Sequence, residues 1–405
     1  MKMILDIIYW LFMIFQIILA IYFLMPSFLL VSKWIISLSG NFFKKKYKTL
    51  DAKNYDFAAI VTAHQDIRFI PPLVDSLLKQ SYGNLVVYVV ADDCDITTLH
   101  FNDDRVVVLR PEPAFHAKIK SIKYAIDNFK RKHDALVIFD TDNLAHPNYF
   151  NELNEHFRKG FRVIQTHMLS KNTETVFAKL DSVGFIYHNF TERQIRMDMG
   201  LSACTLGLGI AIDMDLYKQI VYRDGLGGFD KKLQADLVRA THQVAFAENA
   251  IVYDEKVDDA GTLEKQRTRW LFAYFRYFSE HWNLFTLGLR KFNFNLIFFG
   301  FNALRPPLFI LTFVGMVCVI IDFFINMTLS WTALAILVSF ALSFVLIVVT
   351  QARQKGMLQA FVYMPVFILR QMRALLKIKA ASKSFLKTEH NRVIYIDELL
   401  ANESA

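Results

Sequence analysis

Cysteine is scarce: Cys94, Cys204 and Cys318 are the only three in 405 residues. None stands in a CxxC spacing, so neither a disulfide framework nor a zinc ribbon is indicated, and a reducing cytosol is the default. No internal repeat or low-complexity linker interrupts the chain. Charge is missing from long stretches, with none from Ile7 to Ser32, from Pro306 to Ile321 or from Phe323 to Ala352. With 54% hydrophobic and 21% charged residues, the chain is too apolar for an ordinary soluble enzyme and reads as one soluble domain plus membrane segments. The formal charge of +8 raises the question of nucleic acid. The basic residues instead border apolar runs, as in Lys44, Lys45, Lys46 and Lys48, or Arg370, Arg373, Lys377, Lys379 and Lys383. That placement fits a bilayer partner and no nucleic acid.

The run from Ile7 to Ser32 gives about 39 Å of helix against a hydrocarbon core of about 30 Å. It reads as an uncleaved anchor, because Leu30-Val31-Ser32-Lys33-Trp34 continues without a small-residue cleavage site. The lysines after it place the N-terminus outside and the next domain in the cytosol, so the expected location is the cell membrane, multi-pass, with a cytosolic catalytic domain. The expected organisation is a transmembrane helix over 1–38, a cytosolic domain over 50–280, interfacial helices over 281–305 and a transmembrane hairpin over 306–352. An interfacial or transmembrane helix with a basic cytosolic tail follows over 353–405. The segment Met357 to Leu376 reads as interfacial, since crossing would carry Arg370 and Arg373 outward.

Between Tyr55 and Phe275, short β-branched runs alternate with longer helical stretches, the pattern of an open, mainly parallel α/β sheet. The predicted strands are 57–61, 85–90, 106–109 and 135–139. Ligands of such sheets bind beyond the carboxyl ends of the strands. Carboxylates gather at three of those ends: Asp66; Asp92, Asp93 and Asp95; and Asp140 and Asp142. The Asp140-Thr141-Asp142 element leaves its strand with two carboxylates one residue apart. Such hard oxygen donors suit Mg²⁺ or Mn²⁺, with water and phosphate oxygens completing the shell. The plain alternative is a turn capping a helix that starts near Pro147.

Four motifs follow in order: Val61-Thr62-Ala63-His64-Gln65-Asp66; Ala91-Asp92-Asp93-Cys94-Asp95; Asp140-Thr141-Asp142; and Gln266-Arg267-Thr268-Arg269-Trp270. Together they resemble the membrane-bound family 2 glycosyltransferases, the branch of cellulose, hyaluronan and chitin synthases and ceramide glucosyltransferase, over roughly Phe57 to Trp270. The resemblance implies a GT-A type nucleotide-sugar-binding domain with a mixed, mainly parallel sheet, plus transmembrane and interfacial helices. It further implies that Asp66, Asp92 and Asp93 contact the base and ribose of the donor and that Lys118 lies near its phosphates. Asp142 would bind the metal, with Asp140 between metal and sugar. Gln266 and Arg269 would hold the diphosphate, and Trp270 would floor the acceptor site. An arginine fork suits phosphate, and an aromatic face suits the C–H face of a sugar.

The family's catalytic base lies in a Thr-Glu-Asp triplet upstream of Gln-x-x-Arg-Trp. Here Gln234-Ala235-Asp236 stands there, so Asp236 is the expected base and Ala235 departs from the pattern. Gly207 and Gly209, in Cys204-Thr205-Leu206-Gly207-Leu208-Gly209, fall where the family lines its acceptor side. His64, His116, His167 and His242 show no metal-ligand spacing. Phe385-Leu386-Lys387-Thr388 is similar to a tail that related synthases dock beside the active site. The expected activity is inverting, metal-dependent transfer from a nucleotide diphosphate donor, UDP by resemblance, to a growing polysaccharide. Single glycosylation of a membrane lipid is the alternative, and an inactive nucleotide-sugar-binding membrane protein a third. Three crossings are few for a tunnel, which leaves a second copy or an export protein as a partner of the polymer reading.

Overall fold

The computed structural model describes residues 2–40, 42–220, 229–354, 356–377 and 391–404. Eight strands form one sheet: β1 (Phe57–His64), β2 (Leu85–Asp92), β3 (Val106–Leu109), β4 (Ala135–Asp140), β5 (Leu144–Ala145), β6 (Val163–Ser170), β7 (Ile210–Asp213) and β8 (Ala245–Asp254). Their order is β3-β2-β1-β4-β7-β6-β8-β5. The pairs β1/β2, β1/β4, β2/β3 and β6/β8 are parallel, whereas β7 runs antiparallel to β4 and β6, and β5 antiparallel to β8. This is the mixed, mainly parallel α/β arrangement of a GT-A-like fold. The interior of β2 and the first residues of β1 and β4 are wholly buried, because helices cover both faces of the sheet and such strands must be apolar throughout.

One face of the sheet packs Val61, Val87 and Val137 against Leu73 and Leu77 of the helix Ile70–Leu78 and Phe150 and Leu153 of the helix Tyr149–Arg158. The other face packs Ile60, Tyr88 and Ile138 with Leu233 and Leu237 of Phe229–Ala240, Leu284 of Phe278–Arg290 and Phe299 of Phe294–Leu304. The last two helices form a close hairpin. A Cβ on Gly288 would meet the Ile297 nitrogen at 2.6 Å, and one on Gly300 would meet the Phe285 nitrogen at 2.6 Å, so both positions need glycine.

Three helices, Met3–Leu38, Leu308–Ile325 and Met327–Gln351, are long and apolar enough to cross a membrane. Polar clasps join them: Gln16 Nε2 donates to Asp322 Oδ1 at 2.7 Å, and the Ser27 hydroxyl meets those of Ser339 and Ser343 at 3.0 and 2.7 Å. Phe298 of the helical hairpin packs in the same cluster as Phe23 and Phe340, so that hairpin carries the sheet onto the apolar helices. The helix Met364–Leu376 has 13 residues, about 20 Å, too short to span a bilayer alone. The Phe385 to Thr388 segment lies outside the described residues.

Candidate active site

Register brings the carboxylates together. Across β1 and β4, Thr62 is level with Asp140, and across β1 and β2, His64 is level with Asp92, so three strands end side by side. The turn after β4 is held by Asn143, whose Oδ1 accepts from the Asp140 nitrogen at 3.0 Å and whose Nδ2 donates to Asp254 Oδ1 at 3.1 Å. Asp142 is buried at the same corner. Its Oδ2 accepts from the Glu255 nitrogen at 3.3 Å, and its carbonyl accepts from Lys171 Nζ at 2.8 Å. Lys118 opens the helix Lys118–Asp127 and reaches over the strand ends, pairing with Asp140 and donating to the Gly207 carbonyl at 2.9 Å.

A cavity of about 1640 Å³ opens above these ends, and Thr62, His64, Asp66, His116, Lys118, Asp140 and Asp142 line one half of it. The helix Ala260–Arg276 borders it, started by Asp259, whose Oδ1 accepts from the Gly261 and Thr262 nitrogens at 2.8 and 3.0 Å. That helix presents Gln266, Arg269 and Trp270 to the cavity. Burial lowers the pKa of Arg269, against the opposing pull of the Asp140 and Asp230 carboxylates. Gln266 is buried and its Oε1 has no partner among the described residues. Arg267 also lines the cavity and pairs with the buried Asp181; its guanidinium lies 4.2 Å from the Trp270 ring centroid, fixing the indole.

The other half of the cavity is a different material. Phe309 and Met316 of Leu308–Ile325, Phe340 and Phe344 of Met327–Gln351, and Met364 and Phe367 of Met364–Leu376 line it, and it is continuous with the polar half. Arg193 and Arg305 also line the cavity, the latter donating to Glu192 at 2.6 Å.

Of the residues expected from sequence, Asp66, Lys118, Asp140, Asp142, Gly207, Gln266, Arg269 and Trp270 line the cavity. Four do not. Asp92 is buried beneath it, its Oδ1 accepting from the Phe115 nitrogen at 2.7 Å and so holding the loop that leads to Lys118. Asp93 stands beside it, taking Gln65 Nε2 at 2.7 Å. Gly209 adopts φ of 58° and is packed where a Cβ would meet Thr166 Oγ1 at 2.7 Å, so it serves the chain path and does not face an acceptor. Asp236 is turned away from the cavity and pairs with Arg239 at 2.7 Å. Burial raises its pKa, and Arg239 acts against that shift. Positions two apart lie on opposite sides of a helix, so the face that turns Asp230, Lys231 and Gln234 into the cavity turns Asp236 out.

Asp230 is thus a carboxylate of that helix that does line the cavity, and the sequence reading did not single it out. It lies against Gly207, where an added Cβ would be 3.3 Å from the Asp230 Cβ. Leu233, Gln234, Ala235, Leu237 and Val238 are the buried positions of that helix, and Asp230 and Gln234 share a face at spacing four. His281 was missed too. It lines the cavity, both ring nitrogens lack partners among the described residues, and burial, aided by Lys231, pushes its pKa down to about 4.

The model of the glycosyltransferase-like family 2 matches residues 54–273, more than half of the chain. The chain belongs to the family 2 glycosyltransferases. The transferase is similar in structure to the mannosyltransferase PcManGT of Pyrobaculum calidifontis, solved with GDP-Man and Mn²⁺, at 13% identity and a TM-score of 0.49, covering 91% of this chain and 100% of that one. It is also similar to S. aureus TarS 1–349, at 17% identity and a TM-score of 0.38, covering 56% of this chain and 66% of that one. For TarS 1–349 in complex with UDP-GlcNAc the identity is 18%, the TM-score 0.37 and the coverage 50% and 59%. The transferase therefore spans under two thirds of these TarS chains. A comparison with curated proteins returns no match.

Proposed function

We propose that this transferase moves a sugar from a nucleoside diphosphate, with a divalent cation, onto the hydroxyl of an acceptor carried on an apolar tail at the cytosolic face of the cell membrane. The carrying observation is the continuity of one cavity from Asp140 and Arg269 to walls of Phe309, Phe340, Phe344 and Phe367. A lipid tail matches those walls, whereas the hydroxyls of a glycan chain would find few partners there and pay for desolvation. This favours the glycolipid reading over the polysaccharide expected from sequence.

Asp140 and Asp142 offer hard oxygen donors at the cavity wall, which fits Mg²⁺ or Mn²⁺, leaving other positions to diphosphate and water. The cation, when bound, neutralises charge on the leaving diphosphate. Gln266, Arg269 and Lys118 bind the diphosphate oxygens. Asp66, with Asp92 and Asp93 supporting the mouth, takes the base and ribose. Asp230 stands on the acceptor side and removes the proton of the attacking hydroxyl. That oxygen bonds to the anomeric carbon as the bond to the diphosphate breaks, the electron pair leaves with the nucleotide, and the configuration inverts. Trp270, steadied by Arg267, forms the floor under the acceptor sugar.

The test uses the full chain in lipid nanodiscs with Mn²⁺, membrane lipid extract and labelled UDP-glucose, UDP-N-acetylglucosamine or GDP-mannose. A chloroform-extractable product carrying one sugar is expected. An aqueous product of many sugars overturns the lipid reading, with a second copy or an export protein then required to complete a channel. Transfer from none of the donors favours the inactive, nucleotide-sugar-binding reading.

A further inference from the structure

Three ligand-type side chains, far apart in sequence, meet at the mouth of the donor half. One donor atom each of His64, Asp93 and His116 lies within 4.8 Å of the others. His64 ends β1, Asp93 follows β2, and His116 precedes the helix that begins at Lys118. The sequence reading found no metal spacing among the histidines because the sheet, not the local chain, brings them together. The side chains are partly open to water, at 33% for His64, 42% for Asp93 and 58% for His116, so an ion can reach them.

The backbone around this cluster is unusual. Among the described residues, four non-glycine residues have left-handed φ, and three of them are Gln65 at 59°, Asp93 at 55° and His116 at 49°. Such conformations persist where the surroundings over-determine them, and they concentrate at functional sites. The second layer is also in place. His64 Nδ1 faces the Asp92 carbonyl at 3.2 Å, so donating that N–H leaves Nε2 as the free lone pair, the arrangement that orients metal-bound histidines. Gln65 Nε2 donates to Asp93 at 2.7 Å and steadies the carboxylate.

We infer that His64, Asp93 and His116 form a second metal site, selective for a Zn²⁺-like transition-metal ion, whose occupation closes the nucleotide end of the donor cavity. Two imidazoles and one carboxylate favour a borderline ion with an open fourth position. The oxygen-only pair Asp140 and Asp142 favours Mg²⁺ or Mn²⁺, so the two sites sort different ions. The closure rests on the proposed donor placement, because His64, His116 and Asp66 line the same part of the cavity. The binding of the ion does not rest on it.

The experiment titrates Zn²⁺ into the full chain in detergent, without nucleotide, against a fluorescent zinc chelator. One equivalent is expected to bind. His116→Gln and His64→Gln should each weaken binding at least tenfold while thermal unfolding stays cooperative, and Asp142→Asn should leave it unchanged. Equal affinity in all the variants, or no stoichiometric binding, overturns the site. A second titration adds uridine, which lacks the zinc-chelating phosphates; it should weaken Zn²⁺ binding in the unsubstituted chain and leave the residual binding of His116→Gln unaltered. Zn²⁺ binding indifferent to uridine that calorimetry shows bound overturns the closure alone, and a uridine affinity unchanged in Asp66→Asn overturns the donor placement, while the metal site itself stands in both cases.

Discussion

The two halves of the cavity are built by opposite means. In the donor half the carboxylate corner is tied down before a ligand arrives: Asn143 holds the turn at Asp140, the Glu255 nitrogen holds Asp142, and Lys118 bridges Asp140 and Gly207. In the membrane half Phe309, Met316, Phe340 and Phe344 offer surface with no direction of their own. Hydrogen bonds fix geometry, whereas apolar contact scales with area and tolerates variation in shape. On the proposed function, that arrangement makes the enzyme strict about the reacting atoms and permissive about the tail.

Four substitutions would break or sharpen that contrast. The largest expected effect is for Asp230→Asn, which should lower kcat by about 10²–10⁴, the usual yield of a positioned base. Asp236→Asn should stay within about threefold, since its partner is Arg239 outside the cavity. The reverse order in a labelled-sugar transfer assay would return the base to Asp236. Next, Asp142→Asn should cost about 10²–10³ in kcat and weaken nucleotide binding in Mn²⁺ but not in chelator; calorimetry with and without Mn²⁺ separates the two. In the membrane half, Phe344→Ser should raise KM for a tailed acceptor about tenfold or more, from the loss of about 1.5–3 kcal/mol of apolar burial. Its kcat and its KM for a short-chain soluble acceptor should hold. Equal loss with both acceptors would remove the tail from that half.

A last effect, on stability and not on turnover, concerns His281. Its pKa is about 4 in the fold against 6.5 as a free group, so the unfolded chain binds a proton first as pH falls. The buried neutral ring therefore favours the fold fully above about pH 6.5, and that contribution is lost as pH drops toward about 4. The loss is of order 1–3 kcal/mol. His281→Gln should flatten the fall of thermal midpoint across that window, and an unchanged slope would place the acid sensitivity elsewhere.

The parallel half of the sheet was legible because β1, β2 and β4 are covered on both faces and so read as unbroken apolar runs. β6 and β8 were not. Val163–Ser170 carries Gln165, Thr166 and His167, Ala245–Asp254 carries Glu248 and Asn249, and a register shift falls at Thr166 and His167. Such polar insertions erase the alternation that marks a strand. The site followed the same division. Asp140, Asp142, Arg269 and Trp270 were visible through local motifs, while Asp236 was named from a triplet match alone and Asp230, which lines the cavity, stands in no such motif. The meeting of His64 with Asp93 and His116 is a product of strand order, which no local window contains.

The far end of the chain bears on the catalytic corner. The Asn391 and Arg392 nitrogens donate to the Glu255 carboxylate at 2.8 and 3.3 Å, while the Glu255 nitrogen donates to Asp142. Arg392 also pairs with Asp258 and Glu174, and Ile396 and Leu399 sit against Leu144 and Tyr253. The last described helix is therefore a buttress for β5 and β8, one residue removed from Asp142, the proposed cation ligand. Trimming the chain before Asn391, as is customary when tails are cut back for purification, would loosen that grip without touching any residue of the cavity's own motifs.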